Sequence, residues 1–146
     1  MVTPLMHSIT IQDLPYQARS EILFCALRDL PDAIWLDSGK PHSSQGCFDI
    51  ISACPDVLIE TYGACSTVTD SNGSHTTEED PFTLAERLLE PMLAIDDDLA
   101  GEPFVGGILG YFGYDLGRRL VDIPDHTLAV SDLPDMRIGR YLWSLV

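Results

Sequence analysis

Residues 57–77 leave this chain little conformational choice. Two β-branched runs, Val-Leu-Ile-Glu-Thr-Tyr at 57–62 and Cys-Ser-Thr-Val-Thr at 65–69, stand two residues apart, and Asp70-Ser71-Asn72-Gly73-Ser74 follows. β-Branched side chains lose rotamer freedom in a helix and suit a pleated surface. Asn-Gly tolerates the positive φ of a tight hairpin turn, so residues 67–70 are predicted to pair with residues 75–77. Asn72-Gly73-Ser74 also spells a glycosylation sequon, but no signal-peptide pattern accompanies it, and the turn accounts for the same letters.

The remaining elements follow from periodicity and punctuation. Residues 8–12 alternate polar and apolar, which predicts a short strand. A helix is predicted over about residues 16–30, with Leu23, Ala26, Leu27 and Leu30 on one face, closed by Pro31. Residues 33–36 and 48–53 read as strands on either side of a turn-rich loop. Asp80-Pro81 places an N-cap carboxylate before a proline at the first helical position, and Phe82, Ala85, Leu88, Leu89 and Met92 form the apolar face behind it. Pro91 predicts a kink or an early end. Residues 104–114 have strand character despite Gly106, Gly107, Gly110 and Gly113, and Asp115 is expected to cap a short helical turn through Arg118 and Arg119. Residues 122–134, with Pro124 and Pro134, read as loop. Strands outnumber helices, so the fold class is α+β, a mostly antiparallel sheet with two main helices.

At 146 residues the chain suits one domain. Its last residues, 136–146, are strand-like and still apolar where the sequence stops, whereas chain ends usually fray into polar residues. The expectation is a single partial domain over residues 1–146, whose final strand awaits pairing from chain that is absent.

Lys+Arg 8 against Asp+Glu 23 gives a formal net charge of −15. Such a surface repels phosphate backbones and anionic lipid, which argues against nucleic-acid and membrane-surface partners. Hydrophobic residues make up 45%, enough to build a core in spite of the charge. No run approaches the roughly 18 apolar residues of a membrane span. With no signal-peptide pattern at the first residues, a cytoplasmic location is expected. Cys25, Cys47, Cys54 and Cys65 contain no C-x-x-C pair and read as reduced, packed side chains rather than zinc ligands.

Most chemistry-bearing letters have a structural explanation. The glycine cluster at 106–113 lacks the Gly-Lys-Ser/Thr ending and the G-x-G-x-x-G order of a phosphate loop, so close backbone approach in a strand is the better reading. His7, His42, His75 and His126 are scattered over separate segments. Asp37, Ser38 and His42 have the letters of a triad without a nucleophile elbow. Asp96-Asp97-Asp98 lacks calcium-loop spacing and reads as a solvated run, and Lys40, between Gly39 and Pro41, sits in an exposed loop rather than an apolar pocket. One loop has binding potential. A strand ending at Leu36, then Asp37-Ser38-Gly39, then a return through Gln45-Gly46-Cys47-Phe48, sets backbone N–H and C=O groups beside a serine hydroxyl, a mouth suited to a small zwitterion. An ordinary strand connection is the alternative.

Several segments, taken in order, resemble one family. Trp35-Leu36-Asp37-Ser38-Gly39, Phe48-Asp49-Ile50, the block from Pro103 through Gly106-Gly107 and Gly110-Tyr-Phe-Gly113-Tyr114-Asp115-Leu-Gly117 to Arg118-Arg119, and Leu133-Pro134-Asp135-Met136 resemble aminodeoxychorismate synthase component I. This is the para-aminobenzoate branch of the anthranilate synthase component I superfamily. The resemblance implies a protein about three times as long, well beyond the usual single domain. Such a protein converts chorismate to 4-amino-4-deoxychorismate, on the route to para-aminobenzoate and folate, with ammonia from a glutamine amidotransferase subunit and with Mg2+. Its metal ligands and catalytic residues lie in a later chorismate-binding region, to which nothing here corresponds, so this piece is expected to be catalytically silent alone. The resemblance also implies a tryptophan pocket at Ser38, Gln45, Gly46, Cys47 and Phe48. Where the family commonly has Tyr-Ser-Arg-Phe this chain has Gln45-Gly46-Cys47-Phe48, which leaves mainly backbone groups to hold a ligand carboxylate. A stand-alone amino-acid-binding or amidotransferase-docking module, and an anthranilate synthase component I, are the alternatives.

Overall fold

The computed structural model describes residues 9–39, 46–92, 99, 101–121 and 132–146. Its elements are helix α1 (Ser20–Leu27), strands β1 (Ile34–Leu36), β2 (Ile50–Ser52), β3 (Val57–Tyr62), β4 (Cys65–Asp70) and β5 (Gly73–Thr77), helix α2 (Pro81–Leu89), and strands β6 (Gly107–Phe112) and β7 (Met136–Tyr141). Short 3-10 turns, Glu90–Met92 and Tyr114–Arg119, follow α2 and β6. The strands form a five-stranded sheet of order β5-β4-β3-β7-β6 and a two-stranded sheet β1-β2, every pairing antiparallel. The class is α+β.

The hairpin forms with Val68 opposite His75 and Asp70 opposite Gly73. Its turn is displaced by one residue from the Asn-Gly expectation. Ser71 and Asn72 occupy the bend, and the positive φ falls on Gly73 alone, at 124°. The Asp70 carboxylate accepts the Asn72 N–H at 2.7 Å, an Asx turn that fixes the bend without asking Asn72 for a left-handed conformation.

Helix α2 starts as the sequence dictates, with the Asp80 carboxylate accepting the Thr83 N–H at 3.1 Å and Pro81 at the first position. It buries Pro81, Leu84, Ala85 and Leu88, spaced i, i+3, i+4 and i+7. Leu84 therefore takes the inward position expected of Leu89, which is exposed. Leu84, Ala85 and Leu88 join Ile59, Leu116, Met136 and Ile138 in the core on one face of the large sheet, and Phe82 stacks on Phe112 with ring centroids 6.0 Å apart. The buried hydroxyls of Thr61 and Ser66 satisfy each other at 2.8 Å.

Period-two alternation sends Glu60, Arg137 and Tyr141 to the opposite face of that sheet. Arg137 ion-pairs there with both Glu60 and Asp32, and the Tyr141 hydroxyl donates to the Asp32 carbonyl at 2.9 Å. Asp32 lies in the turn between α1 and β1, so these bonds fasten the small sheet onto the large one. The chain end completes the clasp: Ile51 and Leu145 exchange backbone hydrogen bonds of 2.9 and 2.8 Å, and the Ser52 hydroxyl donates to the Trp143 carbonyl at 2.7 Å.

Several expectations need correction. The segment at 136–146 is not an unpaired strand. β7 is hydrogen-bonded on both sides, to β3 and β6, and the apolar residues after it meet β2. β7 has the burial of a central strand, with Met136, Ile138, Gly139 and Tyr141 buried across its two faces. Residues 9–12 form no strand, having no neighbour to pair with among the described residues, and Ile9 and Ile11 are exposed. α1 is shorter than residues 16–30, because Arg19 is extended and no side chain caps the helix start. Ala26 and Leu30 are exposed, while Phe24 meets Trp35 with ring centroids 5.4 Å apart. Asp115 pairs with Arg118 at 2.8 Å instead of capping its turn. All four cysteines are exposed thiols rather than packed side chains, and none is in a disulfide; they sit on α1, in loops and at the outset of β4. His7, Lys40, His42, Asp96, Asp97, Asp98 and His126 lie outside the described residues.

Candidate functional site

The loop joining β1 to β2 is organised by one carboxylate. Asp49 stands immediately before β2, and its Oδ1 accepts the Ser38 backbone N–H at 2.8 Å and the Ser38 hydroxyl at 3.0 Å. Its Oδ2 accepts the Ser20 hydroxyl at 2.5 Å, and Ser20 is the first residue of α1. One side chain thus ties together the exit of β1, the entry of β2 and the start of the helix packed over them. Bonds to a charged acceptor are the strong kind, typically worth about 1.5–3 kcal/mol each. Upstream, the Asp37 carboxylate accepts the Gly39 N–H at 2.7 Å, a second Asx turn that bends the chain away from β1.

Gly46 closes the loop against Ser38. A Cβ there would sit 2.9 Å from the Ser38 carbonyl carbon and closer still to its oxygen, so only a glycine permits the two backbones to approach this way. The structure therefore brings Ser38 and Gly46 together, with Cys47 and Phe48 following at the surface, Phe48 57% exposed. Gln45 lies outside the described residues. Behind the loop, the Trp35 indole N–H is buried with no hydrogen-bond acceptor among the described residues.

Asp49 and Ser20 were not singled out from sequence as site residues. A carboxylate one position past Phe48, at the head of an apolar strand, was the available signal. Nothing in a linear reading links it to a serine 29 residues away. The other residues considered for chemistry are not assembled: His75 is on an exposed strand, and among the described residues no group of three or more His, Cys, Asp or Glu side chains converges to hold a metal ion. Away from this loop, a concavity of about 480 Å³ is lined by Asp32, Asp56, Asp70 and Arg140 among others. Its charges are engaged already: Arg140 holds Asp56 through two bonds of 2.9 and 2.6 Å, which raises the guanidinium pKa above its ordinary value, and Asp32 pairs with Arg137.

In sequence, the chain is 36% identical over 147 residues to aminodeoxychorismate synthase component 1 of Klebsiella aerogenes, a match covering 100% of this chain and 32% of that protein. This chain is a relative of aminodeoxychorismate synthase component 1. The same protein of Escherichia coli K12 is 36% identical over 130 residues, covering 89% of this chain and 29% of its own length. A weaker likeness, 31% over 123 residues, joins 78% of this chain to 20% of anthranilate synthase alpha subunit 2, chloroplastic, of Arabidopsis thaliana. The chain spans about a third of the length of the curated synthases it matches. No family model matches it.

Proposed function

We propose that this chain is the N-terminal portion of an aminodeoxychorismate synthase component 1, acting in the cytoplasm within a protein that aminates chorismate. The observation that carries the reading is the 36% identity running through all 146 residues to the Klebsiella synthase. In this reading the remaining two-thirds supplies the chorismate-binding region, a glutamine amidotransferase subunit delivers ammonia, and the product is 4-amino-4-deoxychorismate. In this reading the magnesium of that reaction is held by the remaining two-thirds of the protein. The part of this piece is structural and ligand-binding. Its β1–β2 loop, with Ser38, Gln45, Gly46, Cys47 and Phe48, holds a tryptophan. The close approach of Gly46 to Ser38 and the rigid seat that Asp49 gives Ser38 support that role.

The test is product analysis with the complete coding sequence. Purified with chorismate, ammonia and magnesium, the whole protein is expected to form 4-amino-4-deoxychorismate, and the 146-residue chain alone to form none. Anthranilate as product would move the protein to the other branch, where the Arabidopsis likeness lies. A native protein of 16.1 kDa that binds L-tryptophan and carries no synthase activity would instead make it a stand-alone binding module.

A further inference from the structure

The large sheet ends in an open edge at β5. The hairpin's two-residue bend sets Asp70 and Gly73 opposite each other as a hydrogen-bonded pair, and alternation along the ladder makes Val68–His75 and Ser66–Thr77 the next such pairs. The backbone N–H and C=O of Ser74 and Thr76 therefore point away from β4, and among the described residues no strand takes them up. Residues 73–76 are exposed. Natural edges are commonly blunted by lysine, proline or a bulge. Gly73-Ser74-His75-Thr76-Thr77 has none of these and pairs with β4 in unbroken register. The edge is also held stiff, by the Asp70 Asx turn and by a 2.8 Å bond between the Thr69 and Ser74 hydroxyls.

Beside this edge the core opens. A concavity of about 300 Å³ between β5 and α2 is floored by Ile59, Val68, Leu84 and Leu88, with His75 and the Glu79–Arg87 ion pair at its rim. It has room for one apolar side chain. Carboxylates stand at both ends of the strand, Asp70 before it and Glu78 and Glu79 after it, while Arg87 is the only lysine or arginine between residues 65 and 90. Such a field repels a second copy of a chain whose formal net charge is −15, and it attracts lysine and arginine. We propose that the β5 edge docks an extended basic segment of a partner protein. The segment adds as a strand to Ser74 and Thr76, lays one apolar side chain into the groove against α2, and sets its basic side chains against Asp70 and Glu78. Main-chain hydrogen bonds supply the affinity; the groove and the charges select the sequence.

The experiment is fluorescence anisotropy of the full-length protein with a fluorescein-labelled, end-capped peptide, Lys-Lys-Thr-Leu-Thr-Lys-Lys. The peptide is expected to bind at least about tenfold more tightly than the same peptide with glutamates in place of its lysines, and to weaken at least about tenfold between about 0.05 and about 0.5 M salt. Binding should slow amide exchange at Ser74 and Thr76, which face outward in the free protein, far more than at His75, whose N–H is already engaged by β4. Thr76→Pro removes an outward N–H, a change an edge strand tolerates, and should weaken the peptide at least about fivefold. N-Methylation of alternate peptide amides should weaken binding in the same way with the protein untouched, which keeps the test decisive should the variant fail to fold. No binding, equal binding of the glutamate peptide, or binding that neither Thr76→Pro nor N-methylation weakens overturns the inference. Self-association of wild type that Thr76→Pro abolishes also overturns it, because the occupant of the edge is then a second copy.

Discussion

Single atoms decide much of the chemistry around the small sheet. The Trp35 indole N–H is buried with no acceptor among the described residues, and leaving such a donor unpaired costs about 1–3 kcal/mol. Trp35→Phe removes the donor and keeps an aromatic ring against Phe24. Its stability is expected within about 1 kcal/mol of wild type, where truncating a packed tryptophan to alanine typically costs about 3–5 kcal/mol. Urea denaturation of the two proteins checks this, and a loss in the alanine range for the phenylalanine variant would mean that the indole nitrogen is engaged. Ser38 and Gly46 were legible as loop residues because serine and glycine in a turn-rich run have few other uses. The carboxylate that organises them was not, since its partners are 11 and 29 residues away.

Among the elements, β6 shows why a glycine-rich run can still be a strand. Gly110 has φ +149°, and a Cβ there would lie 2.8 Å from Ile138 Cα and closer still to the Arg137 carbonyl oxygen. The glycine lets β6 press against β7. Gly110→Ala is expected to destabilise the protein by about 1–3 kcal/mol through overpacking and backbone strain, with amide exchange rising first along β6. The sequence reading of close backbone approach was right for this segment. α2 was equally legible, because Asp80-Pro81 acts within one turn of chain. α1 was not: its ends depend on distant partners, with Ser20 bonded to Asp49 and Phe24 set against Trp35.

For the molecule as a whole, β7 and the residues after it are the fastening. Arg137 and Tyr141 reach across to Asp32, and residues 143–145 clasp β2. A chain ending at Leu142 should lose protection of the Ile51 amide in hydrogen exchange while the amides of β3 and β4 stay protected, since residues 143–146 bond to the small sheet and to the Phe104 carbonyl but to neither of those strands. Uniform loss of protection would instead make the two sheets one cooperative unit. Burial holds the Tyr141 hydroxyl proton above its ordinary pKa of 10.0, with the nearby Asp32 acting in the same direction. The folded state therefore keeps its proton longer than the unfolded state as pH rises. Stability from this group is fully present below pH 10.0 and is lost as pH climbs from there through the folded-state value. Tyr141→Phe should lack that alkaline limb in urea titrations across this range, at a cost of about 0.5–1.5 kcal/mol near neutrality for the lost hydrogen bond.

Local chemistry determined what could be read along the chain: the β3–β5 meander from β-branched runs and a turn, the start of α2 from its cap and proline, and the β6 glycines from their need for close contact. Each is settled within a few residues by sterics and nearby hydrogen bonds. Tertiary structure alone decided that β7 is inserted between β3 and β6, that the apolar tail closes on β2 rather than waiting for another partner, and that Asp49 governs Ser38. These depend on pairings between residues tens of positions apart. An apolar strand has the same composition whether it is unpaired at an edge or buried at the centre of a sheet, so only the assembled hydrogen-bond ladder separates the two.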